Sequence, residues 1–344
     1  MRPCRVPLAS IAASAILTGL AASSAPAEHA SLPLPVDRPD TYRLESLLSP
    51  ESDEASDETS DGITPTKLML QPAAGPDHTV YAPPAAPTDA EGANTGGINL
   101  NLRVTYLSDY IFRGIDRTQF IGLVTGTGDV DEKANFQFEG AISFNLGKLP
   151  HPFVGVFVNV LDEDPVSTFQ EISPTVGAEL YLRPFIFAGG NNTFIFPDRD
   201  ELNTAEFWGR ITLDDAAVLR NDEPLLSPYI FAAYDYDLYN GWYFEAGISH
   251  DFVLEGTGIT LTTQAAVAYV LQHGAFAGET GEDSGFHHYQ VGAIGRYSLN
   301  EFLNIPQRFG QWSLNGYVYY ADGIDEDLRE DTGLWGGGGV ELRY

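Results

Sequence analysis

The stretch "INLNLRVTY", residues 98–106, decides the fold. Ile98, Leu100, Leu102, Val104 and Tyr106 occupy alternate positions, and Asn99, Asn101, Arg103 and Thr105 lie between them. Successive side chains of a strand point to opposite faces, so one face of this segment is apolar and the other polar. The period is that of a half-buried β-strand and of no helix. The same alternation returns along the chain. "NFQFEGAISFNL" sets Phe136, Phe138, Ile142, Phe144 and Leu146 against Gln137, Glu139, Ser143 and Asn145. "YFEAGISHDF", "ITLTTQAAVAYV", "HYQVGAIGRYSL" and "QWSLNGYVYY" repeat it, placing Glu245 and Arg296 on polar faces. Weaker candidates at 153–161, 170–181, 186–196, 205–213 and 227–236, with the C-terminal "LWGGGGVELRY", bring the total to about twelve. That is an even number, as a single-chain outer-membrane barrel has.

An alternating all-β chain has two solutions. A soluble sandwich turns the apolar faces inward; a membrane barrel turns them to lipid and the polar faces to its lumen. Segment length separates the two. The runs here are roughly nine to twelve residues, the length a tilted membrane strand needs, whereas sandwich strands average nearer six. Tyr106, Tyr110, Trp242, Tyr269, Trp312, Tyr320 and Tyr344 fall near strand ends, where a barrel carries its aromatic girdles. Val340, Leu342 and Tyr344 alternate back from the end, which resembles the recognition signal read by the barrel assembly machinery. The expected fold is therefore an all-β, antiparallel, up-and-down transmembrane β-barrel over 97–344, with lipid as its solvent.

Upstream, the composition changes. Arg2 and Arg5 precede the apolar run "VPLASIAASAILTGLAA" and the small residues "SAPA" ending at Ala27, the layout of a cleaved signal peptide at 1–27. Residues 28–96 hold "SPESDEASDETSDG" and a Pro/Ala/Gly-rich tract, which bury too little apolar surface to offset chain entropy and read as a disordered linker. Cys4 is the one cysteine of the chain, which excludes disulfide scaffolds and thiolate chemistry from the exported part. A net charge of −30 speaks against a nucleic-acid partner, because phosphate contacts need Lys and Arg.

Strand one runs into "LSDYIFRGIDRTQ", residues 107–119. "SDYIFRGI" resembles the signature of the TorF family of porin-like outer-membrane proteins, at Ser108, Asp109, Tyr110, Phe112, Arg113 and Gly114. Asp116 and Arg117 stand where that family usually continues with Ser-Gln. "FIFPDRDELNTAEFWGRITL" echoes the family's proline, acidic loop and Glu-bearing strand through Pro197 and Glu206, with Phe196 in place of its tyrosine. The resemblance implies a barrel and a pore, with no particular substrate.

Read as a strand, the motif puts Asp109 and Arg113 on one face about 13 Å apart, too far to pair with each other. Each needs a partner on another strand or in a returning loop, and Glu206 and Arg210 are the candidates. Gly114 supplies a sharp turn at the rim. Other chemistry is thinly supported. Ser249, His250 and Asp251 are neighbours on a strand and point to opposite faces, so they form no triad. His273, His287 and His288 are placed at an outer loop, with no nucleophile beside them. "LDEDP", "PDRDE" and "DGIDEDLREDTG" make an acidic outer rim that suits cation preference and a loose contact with divalent cations, without the spacing of a calcium loop. "GGGG" at 336–339 is followed by no helix and is no phosphate loop. The function expected is a porin-like channel for small solutes or ions, with no catalysis, cofactor or structural metal. The rival is a non-conducting barrel filled by residues such as Tyr243, Tyr317 and Trp335, and a lipid-modifying barrel enzyme ranks below both. Arg103, Glu139, Glu341 and the charged residues named above are the candidate lumen and rim residues.

Overall fold

The computed structural model describes residues 97–117, 134–161, 171–197, 199–221, 224–254, 256–278, 280–328 and 333–344. Residues 1–27 and 28–96, expected from the sequence to be a signal peptide and a linker, lie outside the described residues. β1 (Ile98–Leu107) is followed by a miniature hairpin, β2 (Ile111–Phe112) and β3 (Ile115–Asp116). Eleven further strands complete the wall: β4 (Asn135–Phe144), β5 (His151–Leu161), β6 (Glu171–Leu182), β7 (Phe185–Phe194), β8 (Thr204–Leu213), β9 (Tyr229–Asp235), β10 (Trp242–Leu254), β11 (Ile259–Leu271), β12 (Gly285–Ser298), β13 (Gln311–Gly323) and β14 (Gly333–Arg343). Each pairs antiparallel with its sequence neighbour and β14 returns to β1, so twelve strands close a barrel and β2–β3 stands apart as its own two-stranded sheet.

The side-chain alternation selects the membrane solution. Leu102, Val104, Phe136, Phe138, Ile142, Val154, Phe207 and Val318 are exposed on the outside of the wall. Asn99, Thr105, Gln137, Ser143, Asn159, Glu179, Thr262 and Asn315 are buried on the inside. A soluble sandwich would reverse this, since water and not hydrocarbon would then meet the outer face. Most strands run 10 to 14 residues, enough to cross a bilayer core at a tilt. Aromatic pairs stand where the wall meets the interfaces: Tyr106 with Phe136 at 4.8 Å and Tyr234 with Trp242 at 4.8 Å toward one end, Tyr297 with Phe302 toward the other. Tyr110 departs from the expected girdle. It is fully buried, because the chain turns inward after Leu107 and carries the ring with it.

Both described ends, Gly97 and Tyr344, lie at one end of the barrel. The 145–150 and 183–184 turns lie there too, as do two longer connections that hold α1 (Asp215–Leu219) and α2 (Leu299–Leu303). The sequence showed no helical period, and five residues are too few to carry one. The opposite end carries the β2–β3 hairpin and the connections at 195–203, 236–241 and 272–284. We call it the outer end.

Closure depends on β14. A Cβ at Gly337 would stand 1.9 Å from the Tyr106 carbonyl oxygen, so the β1–β14 seam requires a strand with no side chain at that point. An outward Leu102→Arg substitution should cost about 2–4 kcal/mol near the bilayer midplane. The check is the urea midpoint for refolding into lipid vesicles, with the outer aromatic Phe136→Leu as a milder comparison.

Candidate functional site

The site is the barrel interior, and two features organise it. Toward the end that holds Gly97 and Tyr344, charges from different strands interlock. Arg103 of β1 sits directly across from Glu139 of β4 and from Glu341 of β14 in the two ladders that flank it. Its Nε donates to Glu139 at 3.0 Å. Glu341 accepts from Arg343 Nε at 2.8 Å and from Asn315 Nδ2 at 3.1 Å, and lies 3.8 Å from Arg296 Nε. On another part of the wall the Arg210 guanidinium lies 3.9 Å above the Tyr229 ring, and its Nε donates to Thr212. Tyr229 and Tyr243 both donate to Glu245, at 2.5 and 2.8 Å. A charge facing a closed wall stays ionised only with such partners, so these contacts carry the cost of placing it there.

Toward the outer end, the chain itself enters the barrel. Residues 108–110 leave the ladder, and β2 and β3 turn over Arg113 (φ 52°) and Gly114 (φ 75°). Both φ values are left-handed, which glycine accepts freely and arginine does not. A Cβ on Gly114 would sit 2.6 Å from the His288 ring, so the turn presses directly on β12. Arg113 is held in place by a bidentate ion pair with Glu206 of β8, both bonds 2.9 Å, with both side chains almost fully buried. Asn192 donates to the same carboxylate at 3.0 Å. The guanidinium also stacks 4.4 Å from the Tyr243 ring. Tyr110, at the base of the hairpin, donates to Glu171 of β6 at 2.7 Å. Planar two-point pairing of this kind fixes geometry as well as charge.

The structure thus brings Arg113 to Glu206, leaves Arg210 with Tyr229, and turns Asp109 inward, where Ser108 Oγ donates to it at 2.6 Å. Asp109 and Arg113 do not share a strand face, because no strand spans them. His287 and His288 are not loop residues. A register shift in the β11–β12 ladder turns both inward, buried, with their Nδ1 atoms 2.7 Å apart. Ser249 and Asp251 face inward and His250 faces out; Asp251 accepts from Thr262. Among the described residues no three His, Cys, Asp or Glu side chains gather around a point that could hold a metal ion. Residues 162–170 and 329–332 of the acidic loops lie outside the described residues.

Sequence reasoning passed over Glu171, Glu179, Asn192 and Asp235. Parity along β6 would have found the first two, since Glu171, Ser173 and Glu179 share the inward face. Asp235 closes β9 and takes Thr204 Oγ1 at 2.6 Å and the Tyr239 N–H at 2.9 Å.

A cleft opens at the outer end between the hairpin and the connections beside it, with Phe112, Arg117, Phe196, Glu206, Asp235 and His273 among its walls. His273 lies past the end of β11 and is buried. Burial, and then the nearby Arg113 and Arg117 charges, lower its pKa to about 3.

No protein-family model matches the sequence, and no curated protein matches it. Solved structures with a similar fold include the NanC porin, at 10% identity and a TM-score of 0.41 over 71% of this chain and 98% of that one. The KdgM porin in complex with disordered oligogalacturonate gives 9% and 0.37 over 71% and 98%. Outer membrane phospholipase A from Escherichia coli gives 11% and 0.36 over 71% and 92%. The barrel of this chain is read from its own strand pairing.

Arg113→Ala should strand Glu206 in a buried site and lower refolding stability by about 3–5 kcal/mol, while the paired Arg113→Met, Glu206→Leu change should recover most of that loss. Urea titration of both variants decides. The unfolded chain takes up a proton at His273 near pH 6.5 and the folded barrel resists until about pH 3. The stability this group contributes is therefore complete above pH 6.5 and drains away as pH falls between those values. His273→Gln should flatten that part of the stability–pH curve.

Proposed function

We propose that this protein is an outer-membrane channel of porin type, passing small polar solutes or ions, and that the β2–β3 hairpin narrows its outer half. The observation that carries the reading is the interior. A wall whose outside is apolar and whose inside is set with Arg, Glu, Asn, Gln and Tyr makes a polar path across hydrocarbon. A barrel with only a structural task could fill its core with apolar residues at lower desolvation cost. The interior charges are of both signs and largely paired in place. That favours polar solutes over strong selection for one ion.

The resemblance of residues 108–114 to the TorF signature fits the same reading and adds a role for it. Arg113 and Gly114 form the turn that enters the barrel, and Glu206, from the second echo, is the residue that receives it. A specific observation also supports the non-conducting alternative. Tyr110, Phe112, Phe157, Phe194 and Phe196 form a buried aromatic cluster around the hairpin, and a hairpin so packed could close the lumen outright. No catalytic step belongs to either reading.

Planar-bilayer recording of the refolded full chain separates them. The channel reading expects discrete conductance steps in the native protein and larger steps in Glu206→Gln, which loosens the hairpin's anchor. A barrel with a heat-modifiable gel shift but no steps, in native and variant alike, would rule the channel out and leave the filled barrel.

A further inference from the structure

The outer cleft has the chemistry of a binding site. The cleft has space of about 40 Å³, where a water molecule needs roughly 10–15 Å³. That is room for a small polar group, and the cleft opens to the outside. Three observations define what that group must be. Arg117 is half-buried, with its guanidinium 4.1 Å from the Phe112 ring, 5.4 Å from Phe196 and 5.6 Å from Phe194. Among the described residues no carboxylate lies within ion-pair distance of it, so aromatic faces hold this cation and leave its N–H edge for another partner.

The two carboxylates of the cleft are already engaged. Glu206 binds Arg113 and Asn192. Asp235 accepts from Thr204 and from the N–H groups of Asp237 and Tyr239. His273, 4% exposed, lines the same cleft with its Nδ1 unpartnered among the described residues. Its ring stacks on Tyr239 at 5.5 Å and meets Phe276 edge-on at 4.7 Å, which fixes its aim. The lowered pKa keeps the imidazole neutral in ordinary conditions, so it can offer one N–H without adding a charge.

We infer that this cleft binds a small amphipathic carboxylate, its anionic end on Arg117 and the His273 ring nitrogen and its apolar body against Phe112, Phe194 and Phe196. This rests on the channel reading for the way a solute arrives, and it names the class of solute. The acidic groups of the outer rim do not oppose it strongly. Exposed charges are screened beyond about 8 Å at physiological salt, whereas a partly buried guanidinium acts at contact.

Benzoate is the probe, titrated calorimetrically into the refolded full chain in detergent micelles, with benzylammonium and acetate beside it. Saturable binding of benzoate, none of benzylammonium, and weaker binding of acetate are expected. Arg117→Gln should weaken benzoate roughly tenfold, as loss of a charge-assisted contact does. Phe196→Ala should weaken benzoate more than acetate, a split that a general loss of folding would not produce. Benzylammonium binding as well as benzoate, or no saturable benzoate heat from a barrel that shows its heat-modifiable shift, would overturn the inference. Binding without bilayer conductance keeps the site and removes the channel; conductance without binding keeps the channel and removes the site.

Discussion

Hydrocarbon offers a peptide group no hydrogen bond. Every N–H and C=O that crosses the membrane must find its partner within the protein, and for strands the only complete solution is a closed ring. The pairing of β14 with β1 is therefore the contact on which the rest depends. It joins the two ends of the barrel domain, and it leaves no room for a side chain at Gly337 and Gly339, two of the glycines of β14. At Gly337 the neighbouring backbone passes too close for any side chain. Closure also fixes the sense of every side chain. With a period of two and no free edge, a slip of one residue would turn a whole strand's charges to lipid.

Closure creates an interior that must be occupied somehow. In this protein much of it is occupied by charged and polar side chains, and several of these pair across neighbouring strands. Arg103 faces Glu139 and Glu341 from the two adjoining ladders, an arrangement possible only where three strands meet in register. The outer half is filled differently. There the connection after β1 turns back into the barrel and is tied down by Arg113 on Glu206. The hairpin spends little backbone hydrogen bonding of its own, two residue pairs, so side-chain anchors hold it: the ion pair, the Tyr110 bond to Glu171 and the aromatic cluster around both.

This division bears on function. A lattice built into the wall is rigid, because each member is carried by a ladder. The hairpin is held instead by side chains, through the ion pair, the Tyr110–Glu171 bond and aromatic packing, and Tyr110 through Asp116 are all buried. The cleft lies at its edge and shares Phe112 and Arg113 with it. Occupation of the cleft and the position of the hairpin are thereby set by common side chains.

Much of this was legible in the linear chain. Alternation of period two, strand length and the even strand count determined the barrel, because a strand's faces are a local property and lipid on one side demands a continuous apolar face. The inward residues Arg103, Glu139, Glu245, Arg296 and Glu341 could be read by parity alone. The turn at Gly114 was legible too, since few residues other than glycine accept a left-handed backbone there. What the chain could not disclose is where residues 108–117 go. No local rule separates a loop that rises into solvent from one that enters the lumen, and the choice rests on Glu206, 93 positions beyond Arg113. The same holds for Tyr110, which has the composition of a girdle residue and the place of a core residue. His287 and His288 are a further case: an irregularity in a ladder, invisible to parity, turns two successive side chains inward. Local periodicity determined the wall; the tertiary structure decided what the wall encloses, because contacts across a lumen join residues that share no period.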